Sequence, residues 1–214
     1  MPRRFYVDMD PANSSATRYL SNATGATFTL TNTDSGDDLA RQVLITNDDA
    51  RDDTAITVTV VGTDADGRPQ TEAGITGPDA SATTSSTKFF LTVESVTPVS
   101  TIGSNTWDIG HTDVCVSKTY PLNHWSDVAC PILGNVTGTA NFTAELTFDP
   151  PNRPDEFTWT DQNTPVWIGS TNVSGKTADI FSTLDAGAYA MRMKINSYTD
   201  TAELQFWLSQ TESK

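Results

Sequence analysis

The segment from Asp64 to Gly67 reads Asp-Ala-Asp-Gly and holds two of the oxygen-bearing side chains that a calcium-binding loop needs. Calcium takes about six to eight oxygens, usually from a longer loop that a bidentate acid closes. Here the next acid is Glu72, which follows Gly67 too closely to close such a loop. Asp64 and Asp66 are calcium candidates by residue type, whereas their setting favours a β-hairpin, because Asp-Gly between two alternating segments is a turn signal.

Both histidines and both cysteines of the chain lie within one stretch of twenty residues and would suit zinc by residue type. They are His111, Cys115, His124 and Cys130, spaced H-x3-C-x8-H-x5-C. Zinc is held by four such side chains in a tetrahedron, but its usual signatures pair two cysteines at short spacing. Zinc is therefore one hypothesis for this stretch, beside a Cys115–Cys130 disulfide and beside buried thiols with two surface imidazoles.

Patterns of hydrolytic enzymes are absent from the sequence, which contains neither G-x-S-x-G nor H-E-x-x-H. The acid pairs Asp48-Asp49 and Asp52-Asp53 are each adjacent in sequence. Adjacent side chains point apart on a strand, so we interpret these pairs as parts of a solvated loop. We therefore predict no catalytic residue, no cofactor and a protein that is not an enzyme.

Two tryptophans suggest another kind of binding. Trp159 and Trp167 flank a loop and would form a stacking platform for sugars if their ring faces are exposed. The alternative is that both rings pack in a core, as is common for tryptophans in a β-sandwich.

Four aromatic side chains are predicted to contact another subunit. Trp207 lies between Phe206 and Leu208 on an alternating segment, so its ring should point to the opposite face of that strand. Aromatic residues are enriched at interfaces. The other three precede the first clear strand pattern, in a segment expected to stay loose unless a neighbour anchors it, and they are Phe5, Tyr6 and Tyr19.

The charge balance narrows the range of partners. The chain has 27 acidic and 13 basic residues and a net charge of −14. Nucleic acids and anionic membranes need a basic footprint, so neither is predicted as a partner. No apolar run approaches the roughly 20 residues that span a bilayer, and no secretory leader is visible, so we expect export only by another route or by lysis of the cell.

Short alternating segments should position these residues. The chain contains 35 Thr, 21 Asp and only six Glu, which suits strands and turns better than helices. We predict an all-β fold of two β-sandwich domains, jelly-roll or Ig-like, in tandem with an extended N-terminal arm. The predicted boundaries are 1–25 for the arm, 26–112 for domain 1, 113–135 for a linking segment and 136–214 for domain 2.

The hairpin segment resembles a module of tailed-bacteriophage virion proteins. In that module a Gly-Thr-Asp-Ala-Asp-Gly turn joins two strands and a Ser-Thr-Lys strand follows, as at 62–67 and 86–90 here. The second half is similar to a β domain of phage structural proteins at 146–150, 165–167 and 190–195, although the strand from Gly187 to Arg192 departs from the family's usual pattern. The resemblance covers about half of the chain.

This resemblance implies a structural role in the virion and brings no catalytic residues with it. The expected function is that of a capsid decoration or cement protein, bound outside the head of a tailed phage, where it bridges neighbouring capsomers. Its partners would be the major capsid protein or other virion proteins, and copies of itself in a trimer or dimer, and its location would be the virion assembled in the host cytoplasm. The alternatives are a tail, neck or fibre component and a carbohydrate- or receptor-binding β-sandwich module.

Overall fold

The computed structural model describes residues 3–122, 130–149, 165–199 and 201–210. Within these ranges the chain forms strands and no helix, which confirms the all-β prediction. A helix long and apolar enough to cross a membrane is accordingly not found in these ranges. The strands are β1 (Arg3–Met9), β2 (Ser15–Ala23), β3 (Ala40–Asn47), β4 (Thr57–Thr63), β5 (Pro69–Thr76), β6 (Thr83–Ser85), β7 (Thr92–Pro98), β8 (Trp107–Val116), β9 (Tyr120–Pro121), β10 (Cys130–Thr137), β11 (Ala140–Thr147), β12 (Ile168–Gly169), β13 (Ile180–Leu184), β14 (Ala190–Tyr198) and β15 (Glu203–Gln210).

The chain divides into two compact units. Unit 1 consists of Met1–Pro11 together with Val116–Lys214, and unit 2 consists of Ala12–Cys115. Unit 1 is therefore made from two separate segments of the sequence, and unit 2 lies between them along the chain. The segment predicted as a link, 113–135, contains the end of β8, all of β9 and the start of β10, and its residues 123–129 lie outside the described ranges.

Unit 1 is built from two antiparallel sheets. One has the strand order β1-β15-β10-β13, and in the other β11 lies between β12 and β14, with β9 also paired to β14. Alternation sets the inner face, since Leu204, Phe206 and Leu208 of β15 are buried while Trp207 between them is exposed. Phe206 meets Phe142 of β11 edge to face with 5.1 Å between ring centroids, so the two sheets pack against each other.

The extended arm and the tandem arrangement are not confirmed, because β1 belongs to the sheet that contains the last strand. β1 pairs with β15 from Arg3 opposite Gln210 to Met9 opposite Leu204. Val7 and Met9 on its inner face are each 1% exposed. Burial of this apolar face and the antiparallel ladder hold residues 3–9 in the sheet. Residues 15–23, also predicted as part of the arm, form β2, which pairs with β8.

Unit 2 also contains two sheets. β3 lies between β8 and β6 with β2 on the other side of β8, and β4 lies between β5 and β7. Its core is one cluster of buried side chains that includes Ile45 of β3, Val60 of β4 and Trp107 of β8. Trp107 is fully buried and meets Phe28 edge to face at 6.0 Å between ring centroids. Both sheets of the unit therefore contribute to one core.

Candidate interaction site

Four large apolar side chains lie side by side on the outer face of the four-stranded sheet of unit 1. In the strand register Tyr6 is opposite Trp207, Trp207 is opposite Leu133, and Leu133 is opposite Phe181. We call these four residues the apolar row. Their exposures are 47%, 40%, 48% and 85% in that order, and the rings of Tyr6 and Trp207 lie 5.4 Å apart. The row crosses all four strands of the sheet, from one edge to the other.

The row follows from the side-chain alternation of strands. Each of its members lies between two residues that are less exposed than itself, as Trp207 does between the buried Phe206 and Leu208. The prediction that Trp207 points away from its neighbours is therefore confirmed. Cross-strand neighbours on one face are close enough for aromatic side chains to touch, which explains why Tyr6 and Trp207 form a pair. Leu133 and Phe181 were missed from the sequence, because joining them to the row requires the strand register.

The positions beside the row carry few charges. On one side Arg4 lies opposite Ser209, and on the other side Asp8 lies opposite Gln205. Gln205 is in turn opposite the exposed Asn135 of β10. In a chain with a net charge of −14, the two lines next to the row therefore hold one cation, Arg4, and two anions, Asp8 and the exposed Asp179, which lies two residues before Phe181.

A cleft of about 410 Å³ opens at the end of the row that Phe181 occupies. It is lined by Asn172 and residues 175–182. Asp179 in this segment accepts a hydrogen bond from the backbone N–H of Val136 at 2.8 Å, which fixes the segment to β10. The cleft is therefore continuous with the edge of the same sheet that carries the row.

The other predicted interface residues do not lie on this face. Phe5 is half-buried and packs edge to face against Tyr120, at 5.8 Å between ring centroids. Tyr19 is fully buried in the core of unit 2, where burial raises the pKa of its hydroxyl. Tyr19 thus has no exposed surface to offer a partner in this structure. Of the four predicted residues, the structure brings Tyr6 and Trp207 together.

The Asp64 to Gly67 segment is the turn of a hairpin between β4 and β5. Oδ1 of Asp64 accepts hydrogen bonds from the backbone N–H of Asp66 at 2.9 Å and of Arg68 at 3.0 Å. The Arg68 guanidinium lies 2.6 Å from Asp66 Oδ2 and 3.8 Å from Asp64 Oδ2. Gly67 has φ of 77°, which suits a glycine in a turn. The two calcium candidates are therefore held by donors of the same turn.

Glu72, the next acid along the chain, serves another purpose. Its carboxylate accepts from the N–H and hydroxyl of Thr87, at 2.8 and 2.9 Å, and from the N–H of Lys88 at 2.8 Å. It thereby holds β5 against the segment that follows β6. The hairpin prediction for this stretch is confirmed.

Three of the four residues of the zinc hypothesis lie in the described ranges, and these three do not form a metal site. His111 is 1% exposed and packs against Tyr19 at 6.1 Å between ring centroids, and burial lowers the pKa of its imidazole. Cys115 is fully buried, which raises the pKa of its thiol to about 12, while Cys130 is half-buried, and both thiols are free. His124 lies outside the described residues. Across the described ranges, no three His, Cys, Asp or Glu side chains form a group able to hold a metal.

The tryptophans of the sugar hypothesis are only partly described. Trp167 is half-buried, and the guanidinium of Arg192 lies over its ring at 4.5 Å from the centroid. Arg192 is itself held by Glu145, with 2.7 Å from Nε to Oε2. One face of Trp167 is therefore covered by a cation of the same chain. Trp159 lies outside the described residues.

Sequence reasoning missed two buried acids of unit 2. Asp37 forms a buried ion pair with Arg41, whose side chains are 3% and 0% exposed. Asp53 is 1% exposed and accepts hydrogen bonds from Asn105 Nδ2 at 2.6 Å and Trp107 Nε1 at 3.0 Å. The solvated-loop prediction is therefore wrong for Asp53, because a tertiary contact with β8 buries it. Both acids satisfy donors of the core and so have structural roles.

Comparisons with protein-family models, with curated proteins and with solved structures found no match. The function of the chain is therefore inferred from its own residues and their geometry.

Proposed function

We propose that this chain is a non-enzymatic structural protein of a tailed-phage virion, most specifically a decoration or cement protein of the head shell. The observation that carries the proposal is the exposed apolar row across the outer face of the unit 1 sheet. The resemblance of the hairpin segment to virion proteins is the reason why the proposal names a tailed-phage virion.

The size of the row supports a binding role. Aromatic side chains have about 150–250 Å² of surface each, so the exposed fractions of the row leave on the order of 400 Å² of apolar surface in water. Patches of this size on soluble proteins are often interaction sites. The row also lies on paired strands, so a partner can bind it without first ordering a loop. Binding therefore avoids the entropy cost of such ordering, which lowers affinity.

Three acids of the described ranges are already engaged by arginines of the same chain. Arg68 neutralises the acidic turn at Asp64 and Asp66, and Arg41 neutralises Asp37 in the core. A general acid or a metal ligand must instead present its oxygens to a substrate or an ion. These contacts favour a structural role over a catalytic one.

The proposal is tested on particles. Purified particles of a phage that encodes this chain should contain it in a fixed number of copies per shell, as measured by mass spectrometry, and cryo-microscopy should show density for it outside the head. Shells assembled without the chain should bind the added protein. The variant Trp207→Ser should bind at least tenfold more weakly. Val99→Ser is the matched control, because Val99 is 73% exposed but belongs to unit 2 and not to the sheet that carries the row. Absence of the chain from particles would overturn the proposal.

A further inference from the structure

We propose that the partner covering the apolar row is a second copy of this chain, stacked face to face about a two-fold axis that runs along the row. The inference rests on the proposed function. It identifies the surface through which two copies of such a decoration or cement protein would bind each other on the shell. It adds the identity of the partner, the symmetry of the contact and the residues that set its orientation.

The charges beside the row favour a second copy of this chain as the binding partner. Arg4 and Asp8 lie on β1 two residues to either side of Tyr6, and all three are exposed. A strand rises about 3.3 Å per residue, so each charge is roughly 7 Å from the row on opposite sides. A half-turn about an axis that runs along the row, between the two stacked copies, places the Arg4 position of one copy over the Asp8 position of the other. Each Arg4 then faces the Asp8 of the partner copy, and the contact contains two opposite-charge pairs.

The same charges argue against a basic partner. The net charge of −14 would attract one to the chain as a whole. In the two lines beside the row, however, Arg4 and Asp8 cancel, and the neighbours opposite them are the neutral Ser209 and Gln205. The remaining acid in these lines is Asp179, whose carboxylate accepts a hydrogen bond from the N–H of Val136 at 2.8 Å, while Glu203 is one line farther out and receives a hydrogen bond from Gln205 at 2.8 Å. The face is therefore complementary to itself at Arg4 and Asp8, and Asp179 leaves it an excess of one negative charge out of the net −14 of the chain.

The available area is sufficient for a dimer. Two facing rows of about 400 Å² each bury roughly 800 Å², and the side chains in the two adjacent lines of both copies bring the total to about 1,200 Å², the lower bound of specific interfaces. The geometry is also suitable, because sheets stack about 10 Å apart with strands nearly aligned. A half-turn about the row keeps the strands of the two copies aligned and reverses their direction. The contact is isologous and closes after two copies.

Sedimentation equilibrium on the purified chain tests this inference without any shell. Wild-type protein and the control Val99→Ser should form dimers with a dissociation constant in the micromolar range, and Trp207→Ser should weaken that constant at least tenfold. Circular dichroism and thermal unfolding should show that Trp207→Ser is folded. A wild-type chain that stays monomeric at high micromolar concentration overturns the inference, as does a dimer that Trp207→Ser leaves unchanged.

Charge reversal tests the two-fold axis. A folding defect cannot give the same result, because a second substitution would not restore dimerisation of a misfolded chain. Arg4→Asp and Asp8→Arg should each weaken the dimer several-fold, because each brings like charges together across the axis. The double variant Arg4→Asp with Asp8→Arg should restore the wild-type constant. Failure of the double variant to restore it overturns the proposed axis.

The two proposals fail in different experiments. A monomeric chain whose Trp207→Ser variant still loses shell binding would overturn the dimer and support the virion role, with the shell itself covering the row. A chain that dimerises through the row but is absent from particles would overturn the virion role and support the dimer.

Discussion

Replacing Asp37 with Asn tests whether the buried ion pair holds unit 2 together. The side chains of Asp37 and Arg41 are 3% and 0% exposed. Arg41 also donates to the carbonyl oxygens of Thr112 at 2.8 Å and Ala12 at 2.6 Å, while Asp37 accepts from the N–H of Ala12 at 3.0 Å. The pair therefore connects the start of unit 2 to β3, which holds Arg41, and to β8, which holds Thr112.

The size of the effect follows from what the substitution leaves behind. Asn keeps the shape of Asp37 but removes its charge, so the Arg41 guanidinium stays buried without an anion. Removing one partner of a buried pair lowers the free energy of unfolding by about 3–5 kcal/mol, whereas apolar replacement of both partners is often close to neutral. We expect a loss in that range for Asp37→Asn, and no recovery in the double variant Asp37→Leu with Arg41→Met, because that variant also leaves the backbone groups of Ala12 and Thr112 without these partners.

Amide hydrogen exchange of peptides from β3 and β8 measures this loss in unit 2 itself. The matched control is Asp34→Asn, which removes the anion of a surface pair with Arg18 at 3.0 Å, where the side chains are 58% and 34% exposed. Exposed pairs contribute less than about 1 kcal/mol, so the control should protect β3 and β8 nearly as well as the wild type. Equal protection in Asp37→Asn and Asp34→Asn would refute the reasoning.

The same pair gives the wild type an acid-sensitive component. Burial alone would raise the pKa of Asp37, but hydrogen bonds from Arg41 and Ser35 outweigh burial and hold the pKa below its ordinary value. A folded pKa that is depressed adds stability above the unfolded pKa of about 3.9, and this stability is lost as the pH falls through the folded pKa. The advantage of the wild type over Asp37→Asn should therefore shrink below about pH 4. An advantage that persists undiminished to about pH 2 would contradict this assignment.

Three further predictions concern the folded units, and equilibrium urea unfolding checks each of them. Burial lowers the pKa of His111, so the stability of unit 2 should fall as the pH drops below about 6.5, and His111→Gln should remove that slope. A Cβ on Gly110 would lie 1.7 Å from the carbonyl oxygen of Ser15, so Gly110→Ala should separate β2 from β8 and lower the free energy of unfolding by more than about 2 kcal/mol. Gly67 has φ of 77° and open space around it, so Gly67→Ala should lower that free energy by only about 1 kcal/mol.

Each of these three predictions has an outcome that contradicts it. For His111 it is the same pH slope in the wild type and in His111→Gln. For Gly110 it is an alanine variant as stable as the wild type, which would mean that β2 does not approach β8 as closely as described. For Gly67 it is a loss as large as that of Gly110→Ala.

Alternation along single strands was enough to predict much of the fold. Apolar and polar residues alternate in the sequence at 141–148, 188–195 and 202–208, where the structure has β11, β14 and β15, and the predicted Asp-Gly turn joins β4 to β5. These patterns are local, because neighbouring side chains on a strand face opposite sides. The first strand was overlooked although Phe5, Val7 and Met9 also alternate with exposed residues. The polar segment that follows it, from Asp10 to Ser15, favoured the prediction of an arm.

Only part of the interaction site could be predicted, because some of its features depend on one strand and others on the pairing between strands. The outward direction of Trp207 could be derived from its own strand, whereas its contacts with Tyr6 and Leu133 depend on register between strands far apart in sequence. The burial of Asp53 likewise depends on Asn105 and Trp107, which approach it from β8 and the turn before it. Local patterns indicate the face of a residue, and pairing decides which other residues share that face.

The pairing of β1 with β15 has a consequence for synthesis on the ribosome. Arg3 can pair with Gln210 only after Gln210 has been synthesised, on the order of 200 residues later. Translation at about 5–20 residues per second makes this delay roughly 10 to 40 s. Ala12–Cys115 emerges as a continuous segment in the meantime, so unit 2 can fold while the nascent chain is still growing. β1 stays without its partner until β15 has left the ribosome. Slowing translation of the second half should therefore prolong the time during which β1 is open to proteases, while leaving unit 2 protected.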